Sequence, residues 1–288
     1  ESSTFRRPDE RLREEAQPRR GVIHVQASRL TPGTATRGSI IYLEDVTVDY
    51  DGFKALRDLN FYMDYRELRV VIGPNGAGKT TLLDVISGKV MPTSGRVIFG
   101  KHTDLVGRRE NEIAALGVGR KFQTPSVFAN LTVRENLELS LARKSKGVLA
   151  TLSARLDASQ REQIERALST IGLAPRAEER AGGLSHGEKQ WLEIGMVMVQ
   201  DAEILLVDEP VAGMTDEETE RTGALLQAIA QDRAVLVIEH DMEFVRRIAR
   251  TVTVLHEGSV LCEGPVDQVQ RDERVMEVYL GRGRAAHA

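Results

Sequence analysis

The sequence is poor in the features that would place it outside ordinary globular folds. It has one cysteine, Cys262, among 288 residues, so no disulfide can close within the chain, and such usage suits a reducing compartment. Cys262 itself reads as a small, partly buried apolar residue near a strand end. Aromatic residues make up only 5%, with a single tryptophan. The apolar runs are short, such as Ile204 to Val207 and Ala234 to Ile238, against the ~18–20 residues a membrane-spanning helix needs. Arg and Glu stand near the start where a secretory leader has its apolar stretch, so no leader is expected. The net charge is −4 and no basic stripe marks the body of the chain. Nucleic-acid binders carry a concentrated positive footprint, so no nucleic-acid partner is expected.

What is present suits a protein with one large core or two modest ones: 41% apolar and 28% charged residues. Residues 1–38 hold eight Arg and five Asp or Glu with few large apolar side chains. Such a segment cannot bury enough surface to offset its ordering entropy, and it reads as a disordered charged tail. From Ser39 the texture changes, and 39–281 reads as the folded domain, with 282–288 as a flexible end. Ile40 to Tyr50 predicts a strand ending in a turn at Asp51-Gly52, with further strands at 56–63 and 68–72. Between about 101 and 200 the pattern is helical and strands are not expected; Ile164, Leu168 and Ile171 share one helix face. Ile204-Leu-Leu-Val207 and Val235-Leu-Val-Ile238 then read as central parallel strands buried on both faces, joined by a helix over 217–230. A hairpin with its turn at Glu257-Gly258 and one amphipathic helix over 266–280 close the chain.

Four segments carry chemistry. Gly73, Pro74, Asn75, Gly76, Ala77, Gly78, Lys79 and Thr80 fit G-x-x-x-x-G-K-[ST], directly after a predicted strand and, with Thr81, opening a predicted helix. In that context the glycines let backbone N–H groups converge on phosphate, Lys79 reaches the β and γ phosphates of a nucleotide, and Thr80 offers its hydroxyl to Mg²⁺. Asp208 and Glu209 follow a buried strand, at the sheet edge where ligands bind. Asp208 suits a magnesium anchor, and Glu209 a base for the attacking water. His240 ends the neighbouring strand and reaches the same edge. Ser185 and Glu188 in Ser185-His-Gly-Glu form a capping box before a helix over 188–199. Capping alone accounts for both residues, but a capped helix end with glycine amides, Gly187 among them, is also an anion site.

Taken in order, these segments resemble the ATP-binding-cassette (ABC) ATPases. The likeness rests on the loop at 73–80, Gln123 in Arg120-Lys-Phe-Gln-Thr-Pro, the signature Leu184-Ser-His-Gly-Glu188, the acidic strand end 204–209, a loop near 212–215, and His240. It spans roughly residues 40–281. It implies an α/β fold: a P-loop NTPase with a RecA-like mixed sheet core, an N-terminal antiparallel β subdomain and an inserted α-helical subdomain at about 101–200. It also implies ATP hydrolysis with Mg²⁺. Gln123 would join Thr80 and Asp208 around the metal, and would act with Glu209 and His240 in hydrolysis. Tyr50 matches the aromatic that stacks on adenine. Two such domains would pair head to tail, so that Ser185 and Gly187 serve the partner's nucleotide. The pair would lie in the cytoplasm, peripheral on the inner membrane face, against two transmembrane permease subunits fed by a periplasmic solute-binding protein.

Within the family the chain is similar to the ATPases of branched-chain amino acid and amide importers. Gly119 to Gln123, His186 to Gly195, Glu209 to Glu220 and the ending Glu277-Val-Tyr-Leu-Gly281 look most like those of urea importers, so urea is the expected cargo. A branched-chain amino acid or short amide is the alternative, as is a soluble ABC ATPase outside transport. Three positions depart from the common pattern: His186 for Gly, Glu188 for Gln and Thr215 for Asp. An acid beside bound phosphate weakens anion binding, while the helix dipole offsets a few tenths to ~1 kcal/mol.

Overall fold

Strands that are apolar at nearly every position lie between two layers, and three of them fix the centre. In the computed structural model, which describes residues 38–121, 126–142 and 156–284, the strands are numbered in chain order. Leu68–Ile72 (β3), Ile204–Asp208 (β7) and Ala234–Ile238 (β8) are buried throughout. They sit side by side in a six-stranded sheet with Val118–Lys121 (β6), Thr251–His256 (β9) and Ser259–Gly264 (β10), in the order β10-β9-β3-β8-β7-β6. Only the β9–β10 pairing is antiparallel. Because strand side chains alternate in direction, each strand feeds two cores. Val70, Val207 and Val237 join an apolar cluster with the helices Val133–Ala142, Ala158–Thr170, His186–Met198 and Asp216–Ile229. Val71, Leu206 and Leu236 join a second cluster on the other face.

That second cluster is shared with a four-stranded antiparallel sheet of order β2-β1-β4-β5. It comprises Ser39–Tyr50 (β1), Phe53–Asp64 (β2), Ser94–Phe99 (β4) and Thr103–Asp104 (β5). The helix Lys79–Ile86 contributes Leu82, Leu83 and Ile86 to it, all fully buried. Two tight turns serve the region around this helix. Asp51 and Gly52 both take positive φ between β1 and β2, as do Glu257 and Gly258 between β9 and β10, the conformation two-residue hairpins favour. The second turn is tied inward: Gly258 N donates to Ala77 O at 3.1 Å, and its carbonyl accepts from Arg57 N at 2.9 Å.

Three expectations need correction. Strands do occur between 101 and 200: β5 extends the antiparallel sheet, and β6 pairs in parallel with β7 at the edge of the central one. The helix expected over 266–280 is two, Val266–Arg271 and Glu273–Arg284. They part at Asp272, whose backbone is extended and whose carboxylate accepts from Arg274 N at 2.9 Å. Residues 282–284, expected in a flexible end, belong to the second of these helices. The expectations for residues 1–37, 285–288 and Gln123 lie outside the described residues.

Candidate functional site

Register decides which residues meet. Val71 pairs with Ile238, and Ile238 with Asp208. The glycine loop after β3, Glu239 and His240 after β8, and Asp208 and Glu209 at the end of β7 therefore emerge together at one carboxyl edge, the edge where α/β sheets bind ligands.

The loop is shaped to receive an anion. Gly78 has φ +99°, and a Cβ there would lie 2.6 Å from Ala55 O, so only glycine fits. The first turn's bond runs from Leu82 N to Gly78 O at 2.9 Å. The amides of Lys79, Thr80 and Thr81 precede it and have no acceptor within the helix, the usual basis of an anion site at a helix start. Lys79 Nζ folds over the loop, donating to Gly73 O at 2.7 Å and Pro74 O at 3.2 Å. Burial pulls its pKa below the ordinary lysine value, opposed by Glu209 and Asp208. Asn75, Gly76 and Thr80 are exposed at the loop rim, Thr81 is half-buried, and Ala77 is buried beneath. Tyr50 ends β1 at the tip of the first hairpin with 47% of its surface exposed.

The adjacent carboxylates differ sharply. Asp208 is buried, and its Oδ1 has no hydrogen-bond donor. Burial pushes its carboxyl pKa up, with Glu209 adding to the shift and Arg120 opposing it. A buried carboxylate oxygen without a donor is costly, and a divalent cation with oxygen ligands would satisfy it. Among the described residues no group of three or more His, Cys, Asp or Glu could hold a metal. Mg²⁺ is usually held by one or two carboxylates plus phosphate oxygens and water, a donor set to which the Asp208 carboxylate belongs by its chemistry. Glu209 leaves the strand in a left-handed conformation, φ +45°, with its amide donating to Ile238 O at 3.0 Å. Such a backbone costs about 1–3 kcal/mol and persists where surrounding structure enforces it. His240 Nδ1 lies 3.4 Å from Glu209 Oε1. The backbone under His240 is fixed by buried Glu239, whose Oε2 accepts from His240 N at 2.8 Å and Asp241 N at 3.1 Å.

Ser185 and Gly187 stand apart from this edge in their contacts. Ser185 caps His186–Met198: its amide donates to Glu188 Oε2 at 2.8 Å, and its Oγ accepts from Glu188 N at 3.2 Å. Glu188 also pairs with Arg176. Although burial acts to raise the Glu188 pKa, Arg176 and Ser185 hold it below the ordinary value. The carboxylate is thus turned back onto the cap. The further partner of Ser185 and Gly187 is Glu218, not the glycine loop of their own chain.

Several residues around the site escape a reading of the sequence. Arg120, on β6, reaches the helix behind the glycine loop, with Nη1 2.6 Å from Asp84 Oδ1 and 2.8 Å from Ser87 Oγ. Lys121 beside it is completely buried on the opposite face, and burial lowers its pKa against the pull of Glu193 and Asp208. Tyr279, from Glu273–Arg284, reaches the Gly73 backbone at the start of the glycine loop. The signals were at hand in Gly119-Arg-Lys-Phe-Gln123 and Glu277-Val-Tyr-Leu-Gly281, but no rule of spacing assigns them a partner.

A mixed sheet with a glycine loop, a buried aspartate and a glutamate at one carboxyl edge, covered by an antiparallel sheet, defines a P-loop ATPase of the cassette type. Comparison with known proteins gives the family. The profile described as ABC transporter matches residues 56–212, and one described as branched-chain amino acid ATP-binding cassette transporter matches 259–285. The chain is 33% identical over 252 residues to the high-affinity branched-chain amino acid transport ATP-binding protein LivG of Escherichia coli (strain K12), covering 84% of this chain and 98% of LivG. It is 32% identical over the same length to the corresponding BraF protein of Pseudomonas aeruginosa, with the same coverage. The crystal structure of an ATP-binding cassette of an ABC transporter in its ADP conformation superposes with a TM-score of 0.75 at 27% identity, covering 84% of this chain and 99% of the other. The chain belongs to the ABC transporter family, as an ATP-hydrolysing ATP-binding subunit of the branched-chain amino acid importer type. LivG and BraF are both named for branched-chain amino acid transport, not for urea.

Proposed function

We propose that this chain hydrolyses Mg-ATP at a site completed by a second cassette and so powers import of a small nitrogen-containing solute. One observation carries the composite site: the glycine loop, Asp208, Glu209 and His240 converge at one sheet edge, while Ser185 and Gly187 form a separate helix end that contacts Glu218 instead. A solved cassette structure of the family, 25% identical with a TM-score of 0.66, is a dimer in a post-hydrolysis state bound to ADP and Pi, which supports pairing.

In this reading the loop from Gly73 to Thr81, through amides such as those of Lys79, Thr80 and Thr81, and the Lys79 ammonium cradle the β and γ phosphates, and Tyr50 stacks on the adenine. Thr80 and Asp208, with Gln123 from beyond the described residues, would hold Mg²⁺, which when bound neutralises phosphate charge. Glu209 orients water and takes its proton as the water oxygen bonds to the γ-phosphorus and the β–γ bridging bond breaks. His240, 3.4 Å from Glu209, contacts the departing phosphate. A base of this kind contributes about 10²–10⁴-fold, so Glu209→Gln should lose at least that much turnover while still binding ATP. The dimer then docks peripherally on two permease subunits, to which a periplasmic binding protein delivers the solute. No described helix is long and apolar enough to cross a membrane itself.

Branched-chain amino acids are the cargo the named relatives support. Urea is the second reading, favoured by the segments Gly119 to Gln123, His186 to Gly195 and Glu209 to Glu220. Uptake of labelled leucine and labelled urea by nitrogen-starved cells carrying Glu209→Gln separates them. Loss of leucine uptake alone establishes the first and loss of urea uptake alone the second. Retention of both contradicts each.

A further inference from the structure

The helix end formed by Ser185 and Gly187 already holds an anionic group, and it comes from the same chain. Glu218 lies in the first turn of Asp216–Ile229. Its Oε2 serves that helix's own cap: it accepts from Thr215 N at 3.1 Å while Glu218 N donates to Thr215 Oγ1 at 3.2 Å. Its Oε1 does something the cap does not require. It accepts from Ser185 Oγ at 2.8 Å, and the same carboxylate lies over Gly187. The approach is close: a Cβ at residue 187 would lie 2.6 Å from Glu218 Cδ and would push the carboxylate aside.

The contact is built into the packing of two helices. One turn beyond Glu218, Thr222 Oγ1 accepts from Trp191 Nε1 at 2.9 Å, and the Arg221 guanidinium lies 4.1 Å from the centre of the Trp191 ring. Trp191 belongs to the helix that Ser185 caps, so the two helices are pinned at the point that carries Glu218 onto Ser185. Glu188, the acid that the sequence places beside this helix end, is instead turned back to Arg176 and the Ser185 amide. Glu218 is the carboxylate that accepts from Ser185 Oγ and packs over Gly187.

A carboxylate and a phosphate oxygen are both anionic acceptors and compete for the same hydroxyl at the same helix end. We propose that Glu218 is a stand-in for phosphate: it occupies Ser185 and covers Gly187 while the cassette is alone, and it yields them to the terminal phosphate of the ATP carried by an opposing cassette. This rests on the reading of Ser185 and Gly187 as the half-site for the partner's nucleotide. Glu218 thereby sets a threshold for pairing, because ATP must displace a charged competitor before the site closes.

The test uses the full chain with Glu209→Gln as parent, titrated with Mg-ATP, and dimer formation read by analytical ultracentrifugation. Glu218→Gln keeps an oxygen acceptor but removes the charge, and it should lower the ATP concentration at half-maximal dimer about tenfold. Binding of a fluorescent ATP analogue to the monomer should be unchanged. Glu218→Ala, checked by thermal melting, should shift the midpoint the same way. A Glu209→Gln parent that dimerises while Glu218→Gln leaves the midpoint unchanged or raises it overturns the proposal alone. A parent that stays monomeric at saturating Mg-ATP overturns the composite-site reading and the proposal with it.

Discussion

Asp208 and Glu209 are consecutive carboxylates in opposite settings. Asp208 is buried with an oxygen lacking a donor, and its pKa is raised by burial first and by Glu209 second. A carboxyl whose folded pKa lies above its ordinary 3.8 costs the fold stability at any pH where it must ionise, and that cost fades as the pH falls through the raised value. Asp208→Asn should therefore raise the melting temperature of the nucleotide-free protein at neutral pH. Its advantage over the parent should shrink towards pH 4, and Mg²⁺ should no longer stimulate ATP hydrolysis. An advantage constant across pH would mean that burial of charge is not the cause. Glu209, beside it, adopts a left-handed backbone that sequence patterning does not reveal. The loop residues and the acidic strand end were legible from their types and spacing. Glu218 was not, because its role depends on a fold that brings residues 33 positions apart within 2.8 Å.

Among the elements, what could be read followed from burial. β3, β7 and β8 are apolar at nearly every position and buried on both faces, so they announce themselves. β6 hides because its two last residues are Arg120 and Lys121, charged side chains the fold nevertheless buries. On one face Arg120 ties the sheet edge to Asp84 and Ser87 in and just after the helix behind the glycine loop. Its ion pair with Asp84 is largely shielded, with side chains 7% and 13% exposed. Breaking a buried pair by removing one partner costs about 3–5 kcal/mol. Arg120→Ala should thus lower unfolding free energy by about that amount in urea titration, and raise KM for ATP through a loosened loop helix. A loss below about 1 kcal/mol would show the tie to be incidental. The last helix divides at Asp272 for a local reason that amphipathic periodicity ignores: its carboxylate caps the next segment by accepting from Arg274 N.

On the scale of the whole molecule, the proposed function gives the described chain both halves of an ATP site that it does not close on itself. The glycine loop, Asp208, Glu209 and His240 share one sheet edge. The Ser185 helix end makes its contacts with Glu188 and Glu218. In the proposed reading the helix end of another cassette closes the site, and the decisive measurement follows from that division. Lys79→Ala disables the loop half and Ser185→Ala the helix-end half, so each variant alone should hydrolyse ATP poorly. Mixed together, they form pairs in which one of the two sites is intact. The account predicts that ATPase activity of the mixture exceeds the sum of the two variants and rises with total protein concentration. Activity equal to that sum at every concentration would contradict it.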